Sequence, residues 1–378
     1  MKHRLLFLVN EPRMFVSFRL PIAIAARNAG FEVHVASGPG AHIEKIENEG
    51  IKHHLIPLRR SGTNPLQELK LIISIFWLFL TLRPQLLHSI TIKPVLYGGI
   101  LARLTGIDAF VCAVSGLGTV FLSTGYKARI LRWLVMSLYK ISLGHRRITT
   151  IFQNPADRAF FVDQELLKLS QTRLLPGSGV DLQTYIAQPE PEDRMVISFA
   201  ARLLRDKGIF EFVAAAEILK KRGYTALFQI IGDRDAGNRT SISQSDLDDF
   251  ARNKNIKILG FREDIPELFA HSNIIVLPSY REGLPRVLCE AAACGRAVIT
   301  TDVPGCRDAI VPGQTGLLVP VKNAKALADA MAILIDDTET RKRMGHNARR
   351  HAEKHFEISV IVDAHMKIYE ALMEPEAA

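Results

Sequence analysis

The sequence has no pair of cysteines at metal-type or redox-type spacing. Its four, Cys112, Cys289, Cys294 and Cys306, stand apart, with no Cys-x-x-Cys among them. That excludes zinc ribbons and thioredoxin-like chemistry, and leaves reduced thiols in a cytosolic protein as the expectation. No apolar run reaches the ~20 residues that a membrane-spanning helix needs. The longest, Leu71 to Leu82, has twelve, and it reads as a core or interfacial helix. The run Leu5 to Val9 is five residues, too short for the core of a signal peptide, and reads as a buried first strand. No repeat period and no low-complexity segment is found, so solenoids and disordered chains drop out.

What is present is an ordinary globular balance, 48% hydrophobic and 23% charged, over 378 residues, a length that suggests two domains. The net charge of +9 is unevenly placed. Residues 1–185 hold 22 basic and 11 acidic side chains; the remainder holds 26 and 28. The positive excess therefore lies in the first half, which favours an anionic partner: a membrane surface, a phosphorylated lipid or nucleic acid. The cations are not interleaved with aromatics and no nucleic-acid-binding motif occurs, so nucleic acid is not the expected partner.

Apolar runs bounded by turn residues predict strands at Arg4–Asn10, Glu32–Ser37, His53–Leu58, Leu86–Thr91, Ala109–Ser115 and Ile148–Gln153. Helical patterns fall between them at Phe18–Asn28, Pro65–Leu82, Pro94–Leu104 and Lys127–Leu143. The second half repeats this with strands at Val196–Ala201, Ala226–Gly232, Ile256–Leu259, Ile274–Pro278, Ala297–Thr300 and Gly316–Val319. Its helices are expected at Ile209–Lys221, Asp246–Lys254, Pro285–Cys294 and Ala324–Ile335. Apolar strands alternating with helices predict an α/β chain of two Rossmann-like, doubly wound domains. The expected division is 1–185, 186–355 and a C-terminal helix in 356–378 packing back on the first domain. Gln188 to Asp193, polar and rich in proline, reads as the linker. Two such domains in sequence suggest a ligand of two parts held in a central cleft.

The segment Ser279-Tyr280-Arg281-Glu282-Gly283-Leu284-Pro285-Arg286-Val287-Leu288-Cys289-Glu290 follows a strand and opens a helix. Pro285 suits the first helical position, and Gly295 the end. Amides at Gly283 and Leu284 would make an anion site for a diphosphate. Glu290 would stand about one and a half turns in, able to accept from ribose hydroxyls. An ordinary turn with two solvated glutamates is the plain alternative. The loop Ala201-Arg202-Leu203-Leu204-Arg205-Asp206-Lys207-Gly208 puts two cations at a strand end. Arg202 and Lys207 could neutralise a departing nucleoside diphosphate, or be an exposed basic loop.

These residues resemble the family-4 retaining glycosyltransferases of the GT-B fold. The resemblance rests on Glu282…Glu290, on Arg202…Lys207-Gly208, on Gly179-Val180-Asp181, on Gly260-Phe261-Arg262-Glu263-Asp264, on the segment Thr301 to Arg307, and on His88 to Pro94. It covers nearly the whole chain and looks closest to bacterial enzymes that extend undecaprenyl-diphosphate-linked glycans. It implies a UDP-sugar donor as co-substrate, no separate cofactor, no metal, and transfer of a hexose or N-acetylhexosamine to a polyprenyl-diphosphate-linked glycan. It implies that Arg202 and Lys207 bind the donor diphosphate. Glu282, Gly283 and Leu284 would hold the sugar, and Glu290 the ribose. The loop Asn10–Ser17, with Asn10 and Arg13, would approach the phosphates. Where many members carry a histidine after the fifth strand, Ser115 or a backbone amide substitutes here. His88 and Lys93 are further acceptor-side candidates, although a strand-end histidine is more often structural. A UDP-sugar epimerase on the same plan is the rival reading.

Two further motifs tempt. Gly116-Leu117-Gly118 lacks the third glycine of a dinucleotide fingerprint, Phe121 standing in its place. Asp233-Arg234-Asp235 resembles a metal-binding Asp-x-Asp but reads better as loop aspartates. The segment Lys127–Lys140 mixes cations with Trp133 and Tyr139, as a helix at a membrane surface does; a core helix with a basic outer face fits as well. The location expected from this is the cytoplasmic face of the cell membrane, by peripheral attachment to an anionic surface.

Overall fold

The structure, a computed structural model, describes residues 3–59, 64–116, 125–235, 237–238 and 240–374, apart from the side chains of Lys127 and Ala128. It divides into two compact units: residues 1–178 with 359–378, and residues 179–358.

The first unit is a parallel sheet with helices on both faces. In chain order its elements are β1 (Arg4–Leu8), α1 (Pro12–Phe18), α2 (Leu20–Asn28), β2 (Glu32–Ser37), α3 (Ile43–Asn48), β3 (Lys52–Leu55) and α4 (Pro65–Leu82). Then come β4 (Leu86–Ile90), α5 (Ile92–Thr105), β5 (Ala109–Val114), α6 (Tyr126–Leu143), β6 (Ile148–Phe152), α7 (Pro155–Asp163) and β7 (Thr172–Leu174). The strand order is β3-β2-β1-β4-β5-β6-β7. Every residue of β4 and β5 is buried; β5 accordingly reads as an unbroken apolar run, while β4 also buries His88 and Ser89. The order reverses between β1 and β4, so their carboxyl ends frame a crevice.

The second unit repeats the plan. Its elements are β8 (Val196–Ala200), α8 (Ile209–Lys221), β9 (Leu227–Ile231), α9 (Gln244–Ala251), β10 (Ile256–Gly260), α10 (Ile265–Ala270) and β11 (Ile274–Leu277). They continue with α11 (Arg286–Ala293), β12 (Ala297–Thr301), β13 (Gly316–Val319), α12 (Ala324–Asp336) and α13 (Thr338–His355). The order β10-β9-β8-β11-β12-β13 reverses between β8 and β11. The last helix, α14 (Ile358–Met373), belongs to the first unit from Ser359 onward.

Three expectations are corrected. The helix read at Phe18–Asn28 starts at Leu20, and the stretch Asn10–Ser17, read as a loop, holds α1; the two helices break at Arg19 (φ −135°, ψ −12°), where Pro21 has no backbone N–H to carry one helix through. Residues 179–185 pack with the second unit rather than the first. Val180 donates to the Phe356 carbonyl at 2.7 Å, and Tyr185 joins the second core. Gln188 to Asp193 is no free linker but is fastened onto the second unit. Arg296 donates to the carbonyls of Gln188 and Pro189 at 2.9 and 3.3 Å. Glu190 pairs with Arg341 at 2.8 Å, both side chains 5% exposed.

His88 sits in the middle of the first unit's core, under α14. Its Nδ1 lies 2.6 Å from the Tyr369 hydroxyl, and its ring stacks on His365 with centroids 5.7 Å apart. Buried completely, it has no surface to offer an acceptor, and that expectation is withdrawn. Burial holds the His88 imidazole well below its ordinary pKa and lowers His365 to about 3. Both rings are therefore neutral in the folded state, whereas unfolding restores pKa values of about 6.5. The stability they confer is complete above that value and is lost as pH falls below about 6.5, for His365 on down toward 3. Denaturant unfolding followed between about pH 7 and pH 4 checks this, and His365→Gln should flatten the slope.

Candidate active site

The loop after β8 is anchored by Leu203 and Leu204, each 1% exposed, which leaves Arg202 and Lys207 to the rim. It ends in a single 3₁₀ turn, Arg205–Lys207, and then Gly208 at φ 78°. A Cβ at Gly208 would stand 2.1 Å from the Pro278 carbonyl oxygen, so only glycine allows this loop to touch the end of β11. Lys207 is thereby set against the loop after β11.

There its ammonium group donates to the Glu282 carboxylate, with both side chains less than one-fifth exposed. Ser279 Oγ donates to the same oxygen, Glu282 Oε1, at 2.7 Å. The two loops are stitched further by Tyr280 N donating to the Asp206 carbonyl at 2.9 Å. Glu282 N donates to the Pro304 carbonyl at 3.2 Å, and Gly305, at φ 84°, packs directly beneath Glu282 and Gly283. Gly283 and Leu284 are buried in this seam.

Arg202 lies on the other side of the β8 loop. Its Nη1 meets Asp235 Oδ2 at 2.5 Å, and its side chain is 45% exposed. Asp235, read from sequence as a loop aspartate, is thus the partner of a functional candidate. Among the described residues no group of three or more histidine, cysteine or acidic side chains is placed to hold a metal ion.

Helix α11 begins at Arg286, with Pro285 at the N-cap and not in the first turn, one residue later than expected. Glu290 is held from two directions. The Tyr185 hydroxyl donates to its Oε1 at 2.7 Å, and Arg286 Nε meets the same oxygen at 2.8 Å. Burial raises the Glu290 carboxyl above its ordinary value, against the pull of Arg286 and of the Tyr185 hydrogen bond. Tyr185, Ser279 and Arg286 were missed by sequence reasoning. Ser279 and Arg286 lie inside the quoted motif, but Tyr185 comes from 105 residues away and carries no local signal.

The second unit therefore gathers Lys207, Glu282 and Ser279 into one contact group. Arg202 with Asp235 and Glu290 with Tyr185 stand as separate pairs. Arg202, Lys207, Asp235, Ser279 and Glu282 follow the carboxyl ends of the adjacent strands β9, β8 and β11, where strand order reverses, while Glu290 stands within α11 and Tyr185 precedes β8. Two cations, each oriented by a carboxylate in a partly dry crevice, suit an anionic ligand.

In the first unit Asn10 follows β1 and Thr91 follows β4, again at the reversal. Asn10 Oδ1 and Thr91 Oγ1 are buried without a hydrogen-bond partner. Thr91 has φ 76°, a strained conformation for a β-branched residue. Lys93 pairs with Glu68 at 2.6 Å. Arg13 is exposed on α1, and Ser115 is exposed just beyond β5. Residues 117–124, with the rest of the glycine-rich segment, lie outside the described residues.

Residues 4–154 match the family described as glycosyl transferase 4-like, and residues 184–351 match glycosyl transferases group 1. The chain is 29% identical over 384 residues to the N,N'-diacetylbacillosaminyl-diphospho-undecaprenol alpha-1,3-N-acetylgalactosaminyltransferase of Campylobacter jejuni, covering 98% of this chain and 99% of the relative. It is 27% identical over 358 residues to the capsular polysaccharide biosynthesis glycosyltransferase CapM of Staphylococcus aureus, covering 92% of each. The fold is shared with HepE of Anabaena, solved in complex with UDP and glucose, at a TM-score of 0.78 and 18% identity over 98% of this chain and all of that one. With matches to both modules, in the order and at the places where the two units lie, the chain belongs to the GT-B glycosyltransferases and is a glycosyltransferase.

Proposed function

We propose that this glycosyltransferase moves a hexose or N-acetylhexosamine from a UDP-sugar to a polyprenyl-diphosphate-linked glycan at the cytoplasmic face of the membrane, in surface-polysaccharide assembly. Transfer proceeds with retention and without a metal. The observation that carries this reading is the Lys207–Glu282–Ser279 group at the strand reversal of the second unit, with Arg202 on the same β8 loop. The relatives' names, which include an undecaprenol-diphosphate acceptor and a capsular polysaccharide, support the choice of acceptor. The UDP and glucose in the HepE complex support the choice of donor.

In this reading Arg202 and Lys207 take the donor diphosphate, supplying the positive charge that a metal supplies elsewhere. Glu282, with the Gly283–Leu284 seam, holds the sugar. Glu290 accepts from the ribose through Oε2, since both of its protein contacts use Oε1. The bond between the anomeric carbon and the diphosphate oxygen breaks as the acceptor oxygen bonds to that carbon from the same face. The acceptor proton passes to the departing phosphate oxygen. The strained Thr91 and the unmet oxygen of Asn10 are suited to orient the acceptor hydroxyl.

A panel of UDP- and GDP-sugars screened by thermal unfolding tests the donor. The matching UDP-sugar should stabilise the fold by about 2.7 kcal/mol at a hundredfold excess over its Kd. Stabilisation by GDP-sugars alone, or by none, would overturn the assignment.

A further inference from the structure

The chain has two tryptophans, and both stand exposed on helices that cover the same face of the first unit's sheet. Leu71, Ile75 and Phe79 of α4, Val95 and Leu101 of α5, and Val135 and Tyr139 of α6 share one buried core. The middle helix fits closely because a Cβ at Gly99 would stand 2.1 Å from Ser142 Oγ. The outward faces of the flanking helices are apolar. On α4, Leu66, Leu69, Ile73, Trp77 and Leu80 form one stripe at helical spacing, 38 to 77% exposed. On α6, Tyr126, Ile130, Trp133, Leu134 and Ile141 form another, 44 to 74% exposed. Leu104, near the end of α5, is 72% exposed.

An apolar surface of this extent needs a cover, and the charge around it says which. Helix α6 carries Lys127, Arg129, Arg132 and Lys140 and no acidic residue. The one acid of α4, Glu68, is neutralised by Lys93 at 2.6 Å. Residues 1–185 as a whole hold 22 basic against 11 acidic side chains. The cover is therefore anionic and apolar at once, which describes a bilayer rich in acidic lipid. By length and composition α4 could cross a membrane. Its inner stripe is built into the core, so it lies flat instead.

We propose that α4 and α6 together form the face by which this protein seats on an anionic bilayer. The two apolar stripes enter the headgroup boundary, and the exposed cations Arg129 and Lys140 of α6 meet lipid phosphates. The inference deepens the reading that the acceptor is lipid-borne, and rests on it. In a parallel sheet α4, α5 and α6 follow β3, β4 and β5, so all three helices start at the carboxyl edge. Asn10 and Thr91 lie at that edge, so a lipid diphosphate leaving the membrane beside these helices meets the crevice.

The full chain is titrated with phosphatidylcholine vesicles with and without phosphatidylglycerol. Tryptophan fluorescence should shift to the blue and be quenched by brominated acyl chains only where phosphatidylglycerol is present, and added salt should weaken the effect. The pair Leu69→Glu/Ile73→Glu on α4, and separately Ile130→Glu/Leu134→Glu on α6, should each weaken vesicle binding about tenfold or more. Thermal unfolding, and transfer to a short-chain, water-soluble acceptor, should be unchanged in both. Absence of vesicle binding in the wild type, or binding that survives the α4 pair, overturns the proposal. So does a wild-type dimer in light scattering that the α4 pair makes monomeric, if lipid has no effect on either. If the wild type binds vesicles but glycosylates no lipid-linked acceptor, the acceptor reading fails while the surface stands.

Discussion

Lys207→Ala lowers turnover by about 10²–10³-fold, the usual cost of removing one preorganised donor from a transition state. The reason lies in how the side chain is held. It does not wander over an exposed loop. Gly208 presses its turn onto the Pro278 carbonyl, and Glu282 and Ser279 fix where its charge sits. A cation fixed before reaction needs no reorganisation when charge develops on the leaving diphosphate. The loss should fall chiefly on kcat, since the charge it answers is largest in the transition state. Lys207→Arg should not restore activity, because a planar fork cannot replace a point charge in so close a seam. Steady-state kinetics with the donor identified by thermal screening give the comparison, and an unchanged unfolding midpoint shows that the variant is folded.

Glu190→Ala should destabilise the second unit by about 3–5 kcal/mol, far more than a substitution in a proline-rich connector normally costs. Glu190 and Arg341 are each 5% exposed and meet at 2.8 Å. Arg341 Nη1 also donates to the Leu334 carbonyl at 2.6 Å, so the arginine cannot swing out to water when its partner is removed. An uncompensated buried charge remains, and that penalty dominates. Glu192→Ala, two residues on and 85% exposed, is the control and should stay within about 0.5 kcal/mol of wild type. Denaturant titration measures both. A loss below about 1 kcal/mol at Glu190 would mean the pair is not dry.

The two substitutions also show where the sequence was legible and where it was not. Strands such as β2, and helices α4 and α8, were readable to the residue. Val33, Val35 and Ala36 mark β2 between turn residues, and Pro65 marks a helix start. The candidate active-site loops were readable because they sit between such runs, with glycines where backbones meet. What could not be read was tertiary. Gln188 to Asp193 has the composition of a linker, and only the approach of Arg296, just before β12, and of Arg341, on α13, makes it structural. His88 looked available because it lies near a strand end. Its burial depends on α14, which arrives 281 residues later in the chain to bring Tyr369 against it. The hold of Tyr185 on Glu290 is likewise invisible locally.

In the proposed mechanism the crevice at the β8–β11 reversal grips the diphosphate of the donor. Calorimetric titration of UDP into the wild type and into Lys207→Ala, side by side, tests it most directly. The wild type should bind UDP, and the variant should bind it at least about tenfold more weakly, the share of a charge-assisted contact. Equal affinity in the two proteins, or no binding in either, would contradict it.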